Sequence, residues 1–417
     1  MDGKSQVELK EDFLLGNEAI ARGAIESHID FAAGYPGTPS SEIIETLARN
    51  ADKYGIYVEW STNEMVAFEN ALGASMAGLR AMVTMKHAGM NWVADPLSIA
   101  VLSGIRGGLV IVTADDPNCH SSANEQDSRF YGWFLKTLTL EPSDPQSAKD
   151  MVKEAFKLSE QAQLPVIVRS VTRVSHSRSN VKLDDISPKN REIGYQRDSG
   201  RFFVTGKRAL QRCQWLQDQQ PLLENISESL SFNTLRSKGS EKICIITSGV
   251  AATYVEDALN TLETDDIAVL KLGSVFPLPK SLVGEALYGK ESVLVIEEGG
   301  PLVELQVKAL ASDLQMAVRI SGKMSGAVPA VGELNLTGVT QTIAQTLGRN
   351  EPEGAGRQAI LKKANEILPP RTMVFCAGCP HTGTMLALKK AMRKAKAKPF
   401  VGGDIGCYTL MCYPPHE

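Results

Sequence analysis

The stretch YVEWSTNEMVAFENALGASMAG, residues 57–78, decides the fold of this chain and the place of its chemistry. It predicts a short apolar strand that ends at Trp60, a polar Ser-Thr-Asn corner, and a helix that begins at Glu64. Most residues of this helix are Ala, Gly, Ser, Met and Leu, so another backbone or a flat ligand can approach it closely. The pattern therefore puts one carboxylate at a strand-to-helix corner.

Glu64 has two interpretations. The helix dipole favours its charged form, whereas burial against a ligand would raise its pKa, and such opposed effects suit proton exchange. Alternatively, it is an ordinary first-turn residue that caps back onto Ser61 or Thr62. Spacing alone favours the second interpretation, and the rest of the chain must decide between them.

The composition bounds the class of protein. A chain of 417 residues has room for two or three domains, and its 43% hydrophobic and 22% charged residues are ordinary for a globular protein. A net charge of -4 gives no general attraction to nucleic acid or to anionic membranes. Because the N-terminal sequence has no apolar signal core and no stretch of about twenty apolar residues occurs, we expect a cytoplasmic protein.

From Leu15 to about Arg178, short apolar strands alternate with helices, which predicts an α/β fold with a doubly wound, mainly parallel sheet. Ligands bind at the carboxyl ends of the strands in such sheets. Four segments follow strands and are expected to face one crevice: Gly34–Ser41, Glu64, Lys86–Asn91 and Asp115–Asn124.

The rest of the chain divides by composition. Residues 181–241 are polar and predict a linker packed over the first domain, with one helix through KRALQRCQWLQDQQPLLENI. Residues 242–348 predict a second α/β domain, in which the acidic pair Glu297 and Glu298 is expected to be a solvated strand end. Residues 365–417 predict a strand, a helix and a strand, too little to bury a parallel sheet, so this third domain is expected to be incomplete.

Four of the seven cysteines lie near the end of the chain, and their clustering argues for a local site. Cys376 and Cys379 with Cys407 and Cys412 form a metal-site candidate, although the second spacing is unusual for zinc. A redox Cys-x-x-Cys is a weaker alternative. The third alternative is a glycine-flanked loop whose backbone N–H groups contact a phosphate or ring system.

Two histidines follow predicted strands or lie near polar loops. His87 comes after the strand RAMVTMK, and His120 lies beside Cys119. Either is an acid–base candidate, but a lone histidine at a strand end is more often a hydrogen-bonded structural residue. No P-loop occurs, and no nucleophile elbow occurs at a strand-to-helix corner, so acyl-hydrolase chemistry has no support.

Seven motifs in order carry a resemblance to a known family: GYPGTPSSEI, EWSTNEMVAFENALGASMAG, MKHAGMNWVADP, KLGSVFPLP, VIEEGGPLVE, CAGCPH and GGDIGCYTL. They resemble the thiamine-pyrophosphate-dependent 2-oxoacid:ferredoxin oxidoreductases, and among them the large alpha subunit of the indolepyruvate type. The resemblance covers nearly the whole chain. It implies a pyrimidine-binding domain at 1–180, a transketolase C-terminal-like domain at 242–348 and the start of a pyrophosphate-binding domain at 365–417.

The activity that this resemblance implies is oxidative decarboxylation of aryl 2-oxo acids such as indolepyruvate, with transfer of the acyl group to coenzyme A and of electrons to ferredoxin. Glu64 matches the glutamate that hydrogen-bonds the aminopyrimidine of the cofactor and promotes its imino form. Thr38 matches a loop near the substrate carboxylate and the approach of coenzyme A. The implied substrate-binding residues are Tyr35, Thr38, Lys86 and His87. The implied cofactor-binding residues are Gly37, Asn63, Cys376, Gly378, Cys379, Asp404, Gly406 and Cys407.

This sequence also departs from the family. The family pattern continues into a magnesium and pyrophosphate motif and two cysteine-rich iron–sulfur motifs, none of which occurs in these 417 residues. We therefore expect a truncated or naturally split chain, without metal ligands of its own, that binds thiamine pyrophosphate weakly and turns nothing over in isolation. The implied partners are a small beta subunit, a second large subunit and ferredoxin.

Two other functions compete with this one. The chain is alternatively a non-catalytic split homologue, or an assembly scaffold that supplies the pyrimidine-binding half to a partner. A thiamine-dependent decarboxylase or transketolase without ferredoxin is a third hypothesis. The predicted domain order, with the transketolase C-terminal-like unit before the pyrophosphate unit, speaks against the third.

Overall fold

The computed structural model describes residues 10–186, 193–349, 355–369, 374–396, 400–403 and 406–413. The chain forms two compact units, residues 1–350 and residues 351–417. Within the described residues, no helix combines the length and apolar character needed to cross a bilayer.

The strands, in chain order, are β1 (Glu11–Leu15), β2 (Phe31–Gly34), β3 (Tyr57–Trp60), β4 (Ala81–Lys86), β5 (Leu109–Asp115), β6 (Thr139–Leu140), β7 (Val166–Val171), β8 (Arg178–Lys182), β9 (Thr234–Arg236), β10 (Ile243–Ser248), β11 (Ala268–Leu272), β12 (Ser274–Phe276), β13 (Ser292–Ile296) and β14 (Arg319–Ser321).

The α-helices are α1 (Gly16–Glu26), α2 (Ser41–Tyr54), α3 (Glu64–Met76), α4 (His87–Ser103), α5 (Arg129–Leu135), α6 (Pro145–Ala162), α7 (Thr172–Ser175), α8 (Lys207–Asp218), α9 (Gln220–Ser229), α10 (Gly249–Thr261), α11 (Lys280–Leu287), α12 (Leu302–Asp313), α13 (Leu336–Thr346), α14 (Ala355–Ile367) and α15 (Pro380–Ala395). Short 3-10 helices span Pro117–Cys119 and Cys407–Cys412.

The first sheet has seven strands in the order β12-β6-β7-β5-β4-β2-β3. All of its pairings are parallel except that of β12 with β6. Every residue of the central strand β5 is buried, as expected when helices cover both faces of a parallel sheet. The predicted α/β fold with mainly parallel, doubly wound sheets is confirmed.

The second sheet has the order β14-β13-β10-β11-β9, and its pairings are parallel except that of β11 with β9. Side chains alternate between its two faces. Ile246 and Leu270 belong to one apolar cluster, whereas Ile245 and Val269 belong to another on the opposite side. The sheet is thus buried on both faces. Because β12 belongs to the first sheet, the chain links the two sheets directly, and the predicted domain boundaries stay a prediction.

The linker helix predicted as one element is two, so that prediction is wrong. α8 ends at Asp218 and α9 begins at Gln220 with Pro221 in its first turn. Proline has no N–H to donate and sterically disfavours a continuous helix. The packing prediction is correct, because Leu216 and Leu223 lie in the core of the first sheet.

The prediction of a solvated strand end at Glu297 and Glu298 is also wrong, since each is only 1% exposed. The carboxylate of Glu297 accepts hydrogen bonds from the backbone N–H groups of Val303 and Glu304, both at 2.9 Å. It also lies 3.0 Å from the guanidinium of Arg129. These hydrogen-bond donors offset the cost of removing the Glu297 carboxylate from water. They come from other segments of the chain, so the composition of the strand end does not reveal them. Burial nevertheless raises the pKa of both glutamates to about 7.

The second compact unit contains α14 and α15. The helix predicted there is confirmed as α15, but neither flanking strand is seen within residues 374–396, 400–403 and 406–413, where Cys407–Cys412 form a 3-10 helix instead. An isolated strand has no backbone partners to hold it extended, which explains the difference.

The raised pKa values of Glu297 and Glu298 lead us to expect that the free energy of unfolding falls as pH rises. A folded-state pKa of about 7 for Glu298, above the ordinary 4.5, means that the folded chain binds more protons than the unfolded chain between those values. Its contribution to the free energy of unfolding is therefore lost as pH rises from about 4.5 to about 7. Glu298→Gln keeps an acceptor for the backbone N–H of Leu334, 3.1 Å away, and should flatten this decline in urea denaturation at several pH values.

The matched control is Glu285→Gln, which removes an exposed carboxylate on α11 and should leave the pH profile as in the wild type. Equal slopes for Glu298→Gln and the wild type would contradict the assignment of this titration to the buried pair.

Candidate functional site

The carboxyl ends of β2, β4 and β5 meet at one edge of the first sheet, and the loops after them touch one another. A methyl group at Gly37 would lie 3.1 Å from Cβ of Lys86. The Nζ of Lys86 donates to the backbone oxygen of Ser121 at 2.6 Å, and the hydroxyl of Ser121 lies 3.5 Å from the backbone oxygen of Thr38. The structure thus brings Gly37, Thr38 and Lys86 together at the predicted crevice.

Glu64 begins α3 directly after the corner, as predicted. The cap of this helix is Asn63, whose side chain accepts the backbone N–H of Val66 at 2.9 Å. Glu64 therefore does not cap onto Ser61 or Thr62. Apart from its own backbone N–H, none of the described residues hydrogen-bonds its carboxylate. Burial raises the pKa of Glu64, and that backbone hydrogen bond opposes the rise.

Gly89, in the first turn of α4, makes the position of Glu64 possible. A methyl group at Gly89 would lie 2.5 Å from Cγ and 2.9 Å from Oε1 of Glu64, and 2.9 Å from Cβ of Met85. These distances are well inside the van der Waals contact of about 3.5–4.0 Å between carbon atoms. Only glycine lets the carboxylate lie against the start of α4.

Lys86 and Asp116 form the polar centre of the crevice. Burial lowers the pKa of Lys86, and the nearby carboxylate of Asp116 opposes this change. Burial would raise the pKa of Asp116, but hydrogen bonds from Ser122, Ser121 and Thr172 outweigh it and keep this pKa low. The crevice therefore holds a fixed carboxylate beside an ammonium group whose charge is poorly solvated.

His87 is the first residue of α4 and is completely buried. Burial lowers the pKa of the imidazole, and the carboxylate of Asp115 opposes the decrease. The side chain of Asn124 lies close enough to hydrogen-bond the imidazole and raise its pKa, although no described residue meets strict hydrogen-bond geometry at either ring nitrogen. The structural and the acid–base roles of His87 both stay predictions. The buried imidazole lies next to Lys86 at the start of α4. Tyr35, 38% exposed, follows β2 at the same edge.

The remaining predicted site residues belong to the second compact unit. The thiol of Cys379 lies 3.3 Å from Nδ1 of His381, and the backbone N–H of Cys379 donates to the oxygen of Cys376 at 3.0 Å. Gly378 between them has φ of +76°, which favours glycine. Cys376 and Cys407 are exposed, and Gly406 precedes the terminal 3-10 helix. Asp404 lies outside the described residues.

No group of three or more His, Cys, Asp or Glu side chains suited to a metal ion occurs among the residues that the structure describes. The four clustered cysteines therefore do not converge there. Their contact with a cofactor stays a prediction.

Sequence reasoning missed the two largest buried side chains near the edge, Arg129 and Arg169. Arg169 Nε lies 2.8 Å from Asp115, and Arg129 Nη2 lies 2.7 Å from Asp127. Both also contact Glu141. An arginine in a strand or helix gives no local signal of burial, because its counter-charges come from distant parts of the chain. Asp116 lay in a segment expected at the crevice, and the acid pair that ends β5 was the signal that could have selected it.

The part of the chain that forms this edge of the sheet matches a known protein family. Residues 22–202 match the family described as "Pyruvate flavodoxin/ferredoxin oxidoreductase, thiamine diP-bdg". The match includes every predicted site residue from Tyr35 to His87.

The chain is 43% identical over 411 residues to the indolepyruvate oxidoreductase subunit IorA of Thermococcus kodakarensis, covering 96% of this chain and 62% of that protein. It is a homologue of the IorA subunits. The subunit from Archaeoglobus fulgidus is 42% identical, with 97% of this chain and 65% of that protein covered. The resemblance predicted from the sequence is confirmed, and the chain spans less than two thirds of the length of these relatives.

A solved structure supports the fold. The 2-oxoglutarate:ferredoxin oxidoreductase from Magnetococcus marinus, with 2-oxoglutarate, coenzyme A and succinyl-CoA bound, superposes with a TM-score of 0.63 at 16% identity. The match covers 82% of this chain and 66% of that one. At this identity the likeness concerns the fold alone, which is the predicted thiamine-diphosphate-binding fold.

The close contact between Gly89 and Glu64 is testable by a double-mutant cycle. Gly89→Ala should lower the free energy of unfolding by about 1–3 kcal/mol, because the methyl group overpacks the Glu64 side chain. Glu64→Ala removes two of the three clashing atoms and leaves Cβ of Met85, so Gly89→Ala should cost less, but still something, in the Glu64→Ala background. Urea denaturation of the four proteins measures the coupling.

Gly73→Ala is the control, since Gly73 lies on the exposed face of α3 with nothing within 4 Å of the added methyl group. It should be neutral or stabilising by about 0.5–1 kcal/mol. Additive effects of the Gly89 and Glu64 changes would show that the two residues do not constrain each other.

Proposed function

We propose that this chain is the pyrimidine-binding part of a thiamine-diphosphate-dependent oxidoreductase that oxidatively decarboxylates aryl 2-oxo acids. Indolepyruvate is the proposed substrate type, coenzyme A the acyl acceptor and ferredoxin the electron acceptor. The observation that carries the proposal is the carboxylate of Glu64, half-buried, without a side-chain hydrogen bond to another described residue, and held against Gly89 at the ligand-binding edge of the sheet.

The residues around Glu64 fit the cofactor's aminopyrimidine. α3 offers mostly small side chains, and Gly89 removes the one Cβ that would fill the space beside the carboxylate. A flat ring needs such a close approach on its face and one hydrogen-bonding group at its edge. Glu64 and, beside it, the cap residue Asn63 are the groups that we assign to hold the ring.

Thiamine diphosphate, when bound, supplies the electron sink for decarboxylation. Glu64 supplies a carboxyl whose pKa burial raises, so it can share a proton with a ring nitrogen rather than hold a fixed negative charge. Its attachment to the first turn of α3 fixes the direction of that hydrogen bond. The raised pKa and the fixed geometry together make it the proposed proton-exchanging residue.

The substrate's carboxylate is assigned to the crevice beside Glu64. Lys86 contributes a positive charge in a poorly solvated place, which attracts a carboxylate more strongly than an exposed lysine does. Thr38 and Tyr35 lie on the loop after β2, and His87 is buried beside Lys86 at the start of α4. We assign these four residues to substrate binding and Gly37 to the close backbone approach next to Lys86.

The partner subunits and the cofactor loops of the second compact unit are proposed by analogy with the relatives. We propose that the small beta subunit and a second large subunit complete the assembly, and that Cys376, Cys379 and Cys407 lie in loops that contact the cofactor's pyrophosphate. Asp404, Gly378 and Gly406 belong to the same proposed loops. Mg²⁺ and iron–sulfur clusters would have ligands outside the residues assigned here. The domain division at 1–180, 181–241, 242–348 and 365–417 is part of this proposal.

The decisive experiment exchanges Glu64 for Gln in a complex reconstituted with the partner chains that supply the small subunit and the proposed pyrophosphate-binding and iron–sulfur parts. Loss of the shared proton should lower 2-oxo-acid-dependent dye reduction by about 10²–10⁴-fold. Assembly, measured by gel filtration, should be unchanged because the two side chains have the same shape.

Glu69→Gln, on the exposed face of the same helix, should keep full activity. Undiminished turnover in Glu64→Gln would refute the assigned role. A wild-type complex that assembles fully but reduces no dye would instead favour the non-catalytic scaffold.

A further inference from the structure

A second cavity, which we call the distal groove, opens between β1, α1, α2 and β8 with a volume of about 510 Å³. Four cationic side chains line it: Arg22, Arg49, Lys53 and Arg178. Only two lining side chains, Asp12 and Glu18, are acidic. This excess of positive charge stands out on a chain whose net charge is -4.

Two of the four cations already have counter-charges. Arg22 Nε lies 2.8 Å from Glu26, and Arg178 Nη1 lies 3.1 Å from Glu18. Arg49 and Lys53 have no such carboxylate partner in the described part of the chain. Arg49 Nη2 donates to the hydroxyl of Thr46 at 3.0 Å, and neither Arg49 nor Lys53 lies within 4.0 Å of a carboxylate among the described residues. Within residues 10–186 and the other described ranges, neither of these two cations is paired with a carboxylate.

Arg49 and Lys53 are also four residues apart on α2, so they lie on one face of the helix, one turn apart. Like charges at this spacing repel and slightly destabilise a helix, and an anion bound between them would relieve that repulsion. Two adjacent uncompensated charges match a dianion better than a single carboxylate.

The groove has an apolar floor beneath these charges. Ile25 is 4% exposed, and Leu14, Leu183 and Tyr54 are partly buried beside it. Lys53 Nζ lies 4.9 Å from the centre of the Tyr54 ring, so one cation and one aromatic face adjoin. A ligand with a flat apolar ring and a negatively charged group could pack its ring on these apolar side chains and place its charge beside Arg49 and Lys53.

We propose that the distal groove binds an organic dianion that carries a flat ring, which is the chemistry of a nucleoside monophosphate. The phosphate contacts Arg49 and Lys53 as a pair, and the ring lies on Tyr54 and the aliphatic floor.

This site is separate from the crevice of the proposed function. The groove involves the last turns of α2, whereas Ser41 at its start follows the Thr38 loop. Arg49 and Lys53 lie eight and twelve residues after Ser41 on α2, about 12 and 18 Å along the helix axis at 1.5 Å per residue. Binding in the groove therefore does not depend on Glu64, and the two proposals can fail independently.

The test is calorimetric titration of the 417-residue chain with adenosine 5′-monophosphate at low ionic strength. We expect saturable binding at one site that weakens as salt rises. Lys53→Glu and Arg49→Glu should each weaken it by about tenfold or more, since attraction becomes repulsion. Inorganic phosphate should bind more weakly than the nucleotide and compete with it, and adenosine should bind weakest.

The matched control is Lys157→Glu, which reverses the charge of another exposed helical lysine, outside the groove. It should bind the nucleotide like the wild type, as should Glu64→Gln. No saturable binding, or binding equally strong in Lys53→Glu and Arg49→Glu, overturns the proposal. Equal affinity for inorganic phosphate and the nucleotide overturns the part that assigns the ring to Tyr54. Because both groove residues are exposed, both variants should fold, and circular dichroism melting verifies this.

Discussion

The structure depends on a pair of buried arginines that tie the two sheets together. Arg129 and Arg169 are both completely buried, and each is surrounded by carboxylates. Arg129 reaches from α5 across to the loop after β13, where it contacts Glu297 and donates to the backbone oxygen of Gly300 at 2.8 Å. An unpaired charge in such a place is very costly, so every partner must stay in position. The cluster therefore fixes the loop after β5, which forms one wall of the crevice.

The crevice itself depends on a second constraint, the close approach of α3 and α4. Small residues let these two helices approach, and Gly89 leaves room for the Glu64 side chain. Ser75 on α3 is also buried and donates to the backbone oxygen of Gly107 at 2.5 Å. The Glu64 carboxylate thus packs against Gly89 on one side. Within the described part of the chain, no side chain hydrogen-bonds it. That combination suits a group that must hydrogen-bond a ligand.

Charge is distributed unevenly over this chain, although the total is small. A surplus of acids is buried at the junction of the sheets, where Glu297 and Glu298 keep protons up to about pH 7. A surplus of cations is exposed at the distal groove. The two regions differ in solvation: burial raises the pKa of Glu297 and Glu298, whereas Arg49 and Lys53 at the groove are exposed to solvent.

The sequence by itself determined the α/β fold, most strands, the corner at Glu64 and the family, because these depend on local periodicity and on motifs read in order. It also placed Thr38, Lys86 and His87 at one edge, since parallel strands bring their carboxyl ends together. Only the tertiary structure decided that Glu297 is buried, that Gly89 makes room for Glu64 and that Arg49 and Lys53 line a cavity. Burial, steric fit and charge compensation arise between segments far apart in the chain, and no local pattern encodes them.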